Sequence, residues 1–374
     1  MELEDVTFQL LEEITDGFSD DRKLGEGAFG VVYRGLTKNG EDVAVKKLRD
    51  NVNDLDHNKQ FQNEFDNLTK LKHQNIVQLF GYCYQIEQKS IQYNGRKVLV
   101  EETHRALCLE YLHKGSLQKH LSDESSGLDW HTRYKIMKGT CEGLKHMHKE
   151  LEEPLYHLDL KPANILLDNN MVPKLADFGL SRIIGNKKLT RTTKSPLGTP
   201  GYQPPEYIDR GEISEKFDIF SLGVTMIQIV SGLEGSYKCQ DMPNEDFIDQ
   251  VKTNWKNKLQ LETWSGSSLE AYCHQVETCT RIALNCMEKD PQKRHDIMKV
   301  IDKLNEIKID SGKHPQNQTM HNKMKMQKEP HDTIDQKQHF NLMTSSCNEV
   351  EFVDIERHHR MLEKNSLWGE QKRK

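Results

Sequence analysis

The sequence has no apolar run that approaches the roughly 20 residues needed for a membrane-spanning helix. Its first residues, Met-Glu-Leu-Glu-Asp-Val, are acidic, whereas a secretory signal peptide begins with a basic segment. Together these two absences predict a soluble protein with no membrane span and no leader.

An excess of positive charge is also lacking. The 52 lysines and arginines are outnumbered by 58 aspartates and glutamates, which gives a formal net charge of -6. Proteins that bind nucleic acids or anionic membranes over a broad surface need a positive field. We therefore expect no nucleic-acid partner, and any basic binding site must be local.

The eight cysteines include no C-x-x-C pair of the kind found in zinc sites. Cys273, Cys279 and Cys286 have the spacing of one side of a buried helix, so we predict reduced structural thiols in a cytosol. His146 and His148 form an H-x-H pattern, but residues two apart on a helix point in different directions. We predict surface positions for both, without a metal.

Hydrophobic spacing divides the chain into regions of different character. Residues 8–18 have the pattern of a short docking helix, and 22–47 contain two strand-like runs separated by glycine turns. A helical pattern covers 58–72. The polar stretch 85–105 separates two strand-like runs and predicts an enlarged hairpin.

After residue 115 a helical pattern dominates to about residue 307, with strand-like pieces around 155–180 and a Gly/Pro/Thr-rich loop at 185–205. Beyond it the composition turns to Gln, His, Asn, Lys and Met. Such a segment is a poor candidate for a hydrophobic core, so we predict a polar, mostly disordered tail.

A glycine-rich run, Leu24-Gly-Glu-Gly-Ala-Phe-Gly30, has the G-x-G-x-x-G spacing. Glycine lets the backbone approach a phosphate closely, but dinucleotide-binding folds and ordinary turns use the same spacing. A dinucleotide-dependent oxidoreductase requires a helix to begin at this loop. Here a strand-like run, Val-Val-Tyr-Arg, follows instead, which favours a hairpin lid over a nucleotide.

Lys46 ends the run Val-Ala-Val-Lys, where alternation directs it and Ala44 to one face, beneath the lid. A lysine at this place can neutralise the α- and β-phosphates of a nucleotide. Glu64, in the predicted helix, is its expected counter-charge. Taken alone, Glu64 is more typical of a solvated helix face, and only its combination with the other motifs favours this role.

The segment Tyr156-His-Leu-Asp-Leu-Lys-Pro-Ala-Asn-Ile-Leu-Leu167, followed by Asp177-Phe178-Gly179, resembles the catalytic core of the eukaryotic protein kinase family. The resemblance implies ATP and Mg²⁺ as cofactors. It also implies that Asp159 is the catalytic base, that Lys161 contacts the transferred phosphate, and that Lys46 and Glu64 form an ion pair. By the same match, Asn164 and Asp177 are the metal ligands.

The resemblance implies the α+β, two-lobed kinase fold, with an N-terminal flanking segment at 1–18 and a polar tail at 307–374. The kinase domain covers 19–306, divided into an N-lobe at 19–109, a hinge at 110–113 and a C-lobe at 114–306. Any one apolar member of the implied nucleotide pocket could equally be plain core. The ATP-binding residues implied by the match are Leu24, Gly25, Gly27, Gly30, Val32, Ala44, Lys46, Leu109, Glu110, Leu112 and Leu166.

Further motifs narrow the resemblance. The Lys in D-L-K-P-x-N and the G-T-P-G-Y run resemble the serine/threonine branch, and Glu206, Asp218 and Arg294 match structural anchors of the helical lobe. The run L-G-E-G-A-F-G-V-V-Y-R-G is similar to the glycine-rich segment of plant receptor-like kinases, and the resemblance covers about residues 8–306. This implies protein substrates, an upstream membrane receptor in immune-type signalling, and a cytoplasmic location, peripheral to the plasma membrane through partners.

Leu158 departs from the pattern of many kinases, in which an arginine precedes the catalytic aspartate. That arginine pairs with a phosphorylated activation-loop residue, so its absence is typical of the non-RD kinases. We predict a weak dependence on phosphorylation of the loop hydroxyls. The candidate phosphosites are Thr190, Thr192, Thr193 and Ser195.

A pseudokinase or ATP-binding scaffold is the main alternative to an active enzyme. Such proteins keep the fold but usually lack one or more catalytic residues. This sequence contains the complete set, which favours the enzyme.

Overall fold

A computed structural model describes residues 4–27, 30–49, 54–122, 127–183, 191–192, 197–262 and 266–307, with the backbone alone at 54–58, 191–192 and 267. The predicted tail lies outside these residues, apart from its first position. Within the described ranges, no helix combines the length and the apolar character needed to cross a bilayer.

A six-stranded sheet forms the N-terminal lobe. Its strands are β1 (Glu4–Asp5), β2 (Lys23–Gly27), β3 (Gly30–Leu36), β4 (Asp42–Leu48), β5 (Leu79–Tyr93) and β6 (Arg96–Glu110), in the order β1-β5-β6-β4-β3-β2. All neighbours are antiparallel except β1 and β5. The two strand-like runs predicted in 22–47 are β3 and β4, and the glycine run forms the predicted hairpin by adding the strand β2.

Helix α1 (Phe8–Thr15) covers one face of the sheet, which confirms its predicted packing role. The Thr7 hydroxyl caps it by accepting a hydrogen bond from the Leu10 amide, 3.3 Å away. Phe8 and Leu11 pack in a cluster with Val43 and Val45 of β4. Alternation along β4 consequently turns Ala44 and Lys46 to the opposite face.

Helix α2 (Asp54–Lys70) lies on that opposite face and begins four residues before the predicted start. Phe61 and Leu68 of α2 are buried in the main hydrophobic core. The predicted enlarged hairpin is confirmed by β5 and β6, which are 15 residues each. Asn94 and Gly95 both have positive φ, which suits the two-residue turn that joins these strands.

The second lobe is mostly helical. Its helices are α3 (Leu117–Ser122), α4 (Trp130–Lys145), α5 (Pro205–Arg210), α6 (Glu215–Ser231), α7 (Gly235–Lys238), α8 (Asn244–Leu261), α9 (Gly266–Cys286) and α10 (Ile297–Glu306). Most of α6 is buried at the centre of the lobe. Cys273, Cys279 and Cys286 are buried on α9, as their spacing predicted.

The second lobe also contains short strands, two of which flank the segment around Asp159. They are β7 (Gly115–Ser116), β8 (Leu155–Tyr156), β9 (Ile165–Leu167), β10 (Pro173–Leu175), β11 (Arg182–Ile183), β12 (Arg191–Thr192) and β13 (Glu212–Ile213). They form three small sheets, β10-β9-β7, β11-β8 and β12-β13.

The prediction that His148 lies on the surface was wrong. His148 is buried at the end of α4, and its Nε2 lies 2.8 Å from Oδ2 of Asp218 on α6. His146 is partly buried beside Glu150. Sequence spacing could not reveal this, because the partner of His148 is 70 residues away. In the described part of the chain, no cluster of three or more His, Cys, Asp or Glu side chains is suited to a metal ion.

Candidate active site

The glycine run forms the tip of the β2–β3 hairpin. Gly25 lies opposite Val32, and Gly27 lies opposite Gly30. A Cβ at Gly30 would collide with the carbonyl oxygen of Lys47, so this position requires glycine. Among the described residues, no atom lies within 4 Å of where a Cβ of Gly25 or Gly27 would be, and the exposed Leu24 precedes them. Residues 28 and 29 lie outside the described residues.

Lys46 is held between two carboxylates. Its Nζ lies 2.7 Å and 2.8 Å from the two carboxylate oxygens of Glu64, and 2.8 Å from Oδ1 of Asp177. Burial alone would lower the pKa of Lys46, but the negative charges of Asp177 and Glu64 raise the pKa above its ordinary value. The lysine is therefore a fixed cation on the inner face of the sheet.

Asp177 lies two residues after β10 and has a strained backbone conformation. Its φ is 67°, a left-handed conformation that is uncommon for aspartate, and the next residue, Phe178, is fully buried. Burial alone would raise the pKa of Asp177, but the nearby ammonium of Lys46 lowers it below its ordinary value. The carboxylate is thus kept ionised, in contact with the ammonium of Lys46.

Asp159 lies in a network of hydrogen bonds with three polar side chains. Asn164 Nδ2 donates to Asp159 Oδ2 at 2.9 Å, and the Thr199 hydroxyl donates to Asp159 Oδ1 at 2.6 Å. Lys161 Nζ donates to Thr199 Oγ1 at 2.6 Å and lies 3.1 Å from Asp159 Oδ2. A carboxylate, an ammonium and an amide therefore converge at one point.

The two carboxylates belong to one site, because the backbone joins their segments. The amide of Ala176, just before Asp177, donates to the carbonyl oxygen of Asn164 across 2.9 Å. His157 Nε2 lies 3.1 Å from the carbonyl oxygen of Ala176. The oxygen-rich pair Asn164 and Asp177 suits a hard divalent cation such as Mg²⁺.

The predicted nucleotide-pocket residues lie on adjacent strands of the sheet and on the segment after β6. Val32 pairs with Lys46 across β3 and β4, and Ala44 pairs with Leu109 across β4 and β6. Leu109 and Leu112 are buried, and Leu166 on β9 packs against the same core as Ala44. Glu110 Oε2 lies 2.9 Å from Nζ of Lys174, a contact between the two lobes.

Leu158 is fully buried beneath the segment after position 197. It packs in a cluster with Tyr156, Leu197, Tyr207, Ile213 and Phe217. Its φ is 64°, and its amide donates to Oδ1 of Asp218 at 2.8 Å.

Of the four candidate phosphosites, Thr190, Thr193 and Ser195 lie outside the described residues. Only the backbone of Thr192 is described, in β12, where it pairs with Glu212 of β13. Glu206 and Arg294 form a buried pair through two hydrogen bonds of 2.6 Å and 2.7 Å. The pair joins α5 to the segment before α10, which agrees with the predicted role of both residues as structural anchors.

Asn63 and Asn67 were not predicted. They lie one turn apart on α2, and Glu64 is on the same helix between them. Asn63 Nδ2 donates to the carbonyl oxygens of Gly179 and Ser181 at 2.9 Å and 3.0 Å, and Asn67 Nδ2 donates to that of Ser181 at 3.2 Å. The i, i+4 spacing of two amides was the available sequence signal, but their backbone acceptors leave no mark in the sequence.

The arrangement agrees with comparisons to known proteins. Residues 18–305 match the model of the protein kinase domain. The chain belongs to this family. It has the two-lobed kinase fold, with a β-sheet N-lobe and a helical C-lobe.

Curated relatives of this kinase domain come from Arabidopsis thaliana. The chain is 36% identical over 300 residues to cysteine-rich receptor-like protein kinase 11, which covers 79% of this chain and 42% of the relative. It is also 36% identical over 299 residues to a G-type lectin S-receptor-like serine/threonine-protein kinase, covering 79% of this chain and 33% of the relative. The kinase domain thus spans less than half the length of these relatives.

Proposed function

We propose that this chain is a serine/threonine protein kinase that transfers the γ-phosphate of ATP to protein hydroxyl groups. The observation that carries the proposal is the double contact of Lys46 Nζ with Glu64 and Asp177. This contact joins the sheet, helix α2 and the metal-binding segment in the arrangement that phosphoryl transfer requires. The family match and the relatives named as serine/threonine kinases support it.

Asp159 is proposed as the catalytic base. It accepts the proton of the substrate hydroxyl while that oxygen forms a bond to the γ-phosphorus, and ADP leaves with the electrons of the broken P–O bond. Lys161, 3.1 Å from Asp159, is placed to neutralise charge on the transferred phosphoryl group. Thr199 contacts both side chains and positions them.

Lys46 is proposed to hold the α- and β-phosphates of ATP under the Gly25–Gly30 hairpin. The adenine ring of ATP is proposed to bind between the apolar pocket residues of the two lobes. Asn164 and Asp177 are the residues proposed to hold Mg²⁺, which neutralises the phosphates when bound. The kinase domain is proposed to cover residues 19–306.

The enzyme proposal is tested by a phosphotransfer assay with radiolabelled ATP, Mg²⁺ and a generic protein substrate. Asp177→Asn should abolish incorporation, because the variant loses the charge that attracts the metal. Asp302→Asn, an exposed substitution of the same type on α10, should leave the rate unchanged. Equal incorporation by wild type and Asp177→Asn would point to a scaffold that does not transfer phosphate.

A non-RD mode of control is proposed for the same domain. Leu158 has an apolar side chain, buried among other apolar residues, at the position where many kinases have an arginine that pairs with a phosphorylated residue. Replacing Thr190, Thr192, Thr193 and Ser195 together by alanine should therefore retain much of the activity. A loss as complete as that of Asp159→Asn would contradict this proposal.

Receptor-linked signalling is proposed as the setting, because the relatives are named as receptor-like kinases. A cytoplasmic location, peripheral to the plasma membrane through a receptor partner, goes with it. Seven cysteines of the described residues are free and buried, which suits a reducing compartment. Fractionation of cells that produce the tagged chain, with and without a candidate receptor, tests the location.

A further inference from the structure

A tight turn begins at Thr199, the residue that contacts the proposed catalytic base. The amide of Tyr202 donates to the carbonyl oxygen of Thr199 across 3.1 Å, and Pro200 and Gly201 lie between them. Gly201 has a φ of 88°, which together with the preceding proline fits a type II turn. The turn thus places the Thr199 hydroxyl, which donates to Asp159 Oδ1 at 2.6 Å.

The side chain of Gln203 closes the base of this turn. Gln203 follows Tyr202 directly, and its Nε2 donates to the carbonyl oxygens of Leu197 and Gly198 at 2.8 Å and 3.4 Å. Both carbonyl groups precede Thr199 in the chain. Because a carbonyl oxygen only accepts hydrogen bonds, these contacts require the N–H donors of the carboxamide. One amide group therefore joins the chain before the turn to the chain after it.

Other hydrogen bonds anchor each side of the turn to the helical lobe. The amide of Leu197 donates to the hydroxyl oxygen of Tyr207 on α5 at 2.6 Å. On the other side, the hydroxyl of Ser221 on α6 donates to the carbonyl oxygen of Tyr202 at 2.7 Å. These bonds hold the two sides separately, whereas the amide of Gln203 sets the distance between them.

The chain before the turn passes close to the catalytic segment. A Cβ added at Gly198 would lie 2.6 Å from the carbonyl oxygen of Leu158, the residue before Asp159. A shift of this part of the chain would therefore also change the contact between Thr199 and Asp159. A misplacement of about 1 Å in a catalytic site can cost on the order of 100-fold in rate.

We propose that Gln203 is a positioning residue for phosphotransfer. Its side-chain amide holds the turn so that the Thr199 hydroxyl stays in contact with Asp159 and Lys161, and it acts on catalysis through Thr199. This inference rests on the proposed kinase function and adds a residue to the machinery of that site.

The kinetic test measures phosphotransfer by the full-length chain with Gln203→Met. Methionine keeps an unbranched side chain of similar length and removes both N–H donors. We expect kcat to fall about 5- to 10-fold, as for the loss of one hydrogen bond, with the KM for ATP unchanged. Gln240→Met is the control, because Gln240 also donates to a carbonyl oxygen, that of Ser236 at 3.1 Å, and it should leave kcat unchanged.

A double-mutant cycle with Thr199→Val separates positioning from a general loss of stability. If Gln203 acts through Thr199, removing its amide should matter little once the Thr199 hydroxyl is gone. The double variant should then be at most about twofold slower than Thr199→Val alone. The proposal is overturned if the two losses multiply, or if Gln203→Met is as fast as wild type.

Methyl NMR of the threonine-labelled chain tests the same inference without any need for activity. The Thr199 methyl signal, assigned by its absence in Thr199→Val, should shift in Gln203→Met and keep its wild-type position in Gln240→Met. An unchanged signal in Gln203→Met overturns the inference. If wild type transfers no phosphate, the enzyme proposal fails, and this signal alone decides whether Gln203 holds Thr199. The same holds where a variant is too slow for its rate to be measured.

Discussion

Asn63 donates a hydrogen bond from its side-chain amide to the carbonyl oxygen of Gly179, across 2.9 Å and 116 residues of chain. The acceptor lies two residues after Asp177, and the donor lies one residue before Glu64. Helix α2 therefore orients the segment around Asp177 through its backbone as well as through the contacts of Lys46 with Glu64 and Asp177.

Replacing Asn63 by alanine should slow phosphotransfer, because the backbone after Asp177 loses the hydrogen bonds that Asn63 donates and keeps only the longer ones from Asn67. A hydrogen bond of this kind contributes about 1 kcal/mol, so we expect a 5- to 10-fold fall in kcat. The Mg²⁺ concentration for half-maximal activity should rise as well. Steady-state kinetics at varied Mg²⁺ measure both, and Asn169→Ala, at an exposed position, is the control.

Asn67→Ala should have a smaller effect of the same kind, because its contacts to Ser181 and Phe178 are longer. The double variant should fall short of the product of the two effects, since both asparagines share acceptors. If the Mg²⁺ dependence is unchanged in all three variants, Asn63 and Asn67 contribute only to the packing of α2 and do not position the segment around Asp177.

Gly198 has a φ of 79°, and a Cβ there would lie 2.6 Å from the carbonyl oxygen of Leu158. Gly198→Ala should destabilise the protein by about 3 kcal/mol, from the left-handed backbone and the collision together. Gly201 has a φ of 88°, but no atom of the described residues lies within 4 Å of where its Cβ would be, so Gly201→Ala should cost only about 1 kcal/mol. Chemical denaturation of the two variants separates the collision from the dihedral, and equal losses would show that the collision is relieved.

Leu158→Ala should open a cavity among Leu197, Tyr207 and Phe217 and cost about 3 kcal/mol. In thermal unfolding we expect the midpoint to fall by about 5 to 10 °C. Leu158→Met keeps the volume and should shift the midpoint far less. If methionine and alanine destabilise equally, the side chain contributes through something other than packing.

His73 and His146 stack with ring centroids 4.9 Å apart, at the junction of the segment after α2 with the end of α4. Partial burial lowers the pKa of His73 below 6.5, and the neighbouring His146 lowers it further, against the opposing carboxylates of Glu150 and Glu142. Because the folded-state pKa lies below the unfolded value, the stability from neutral His73 is present above about pH 6.5 and is lost as the pH falls through the folded pKa.

Titration by NMR of the imidazole signals measures this directly. The His146→Gln variant should raise the pKa of His73 toward 6.5, because the electrostatic effect of His146 on His73 is removed. His274→Gln, at an exposed position on α9, should leave it unchanged. A His73 pKa at or above 6.5 in wild type would contradict the burial argument.

Local sequence patterns predicted much of the architecture. The alternation in Val43–Lys46 correctly assigned the two faces of β4, and the spacing of Cys273, Cys279 and Cys286 correctly indicated a buried helix. The motif around Asp159 identified the family because catalysis requires particular residue types at fixed distances along one short segment. The hairpin at 85–105 followed from its polar character and its flanking strands.

Contacts between distant segments were decided only by the tertiary structure. His148 has the same local sequence whether it faces water or Asp218, and only the packing of α4 against α6 buries it. Asn63 and Asn67 bind carbonyl oxygens, which every residue possesses, so the sequence cannot name the acceptors. The sequence by itself determined the chemical groups and the periodicity of each element. The fold decided which groups meet, because hydrogen bonds and burial depend on distances in space that join positions more than 100 residues apart.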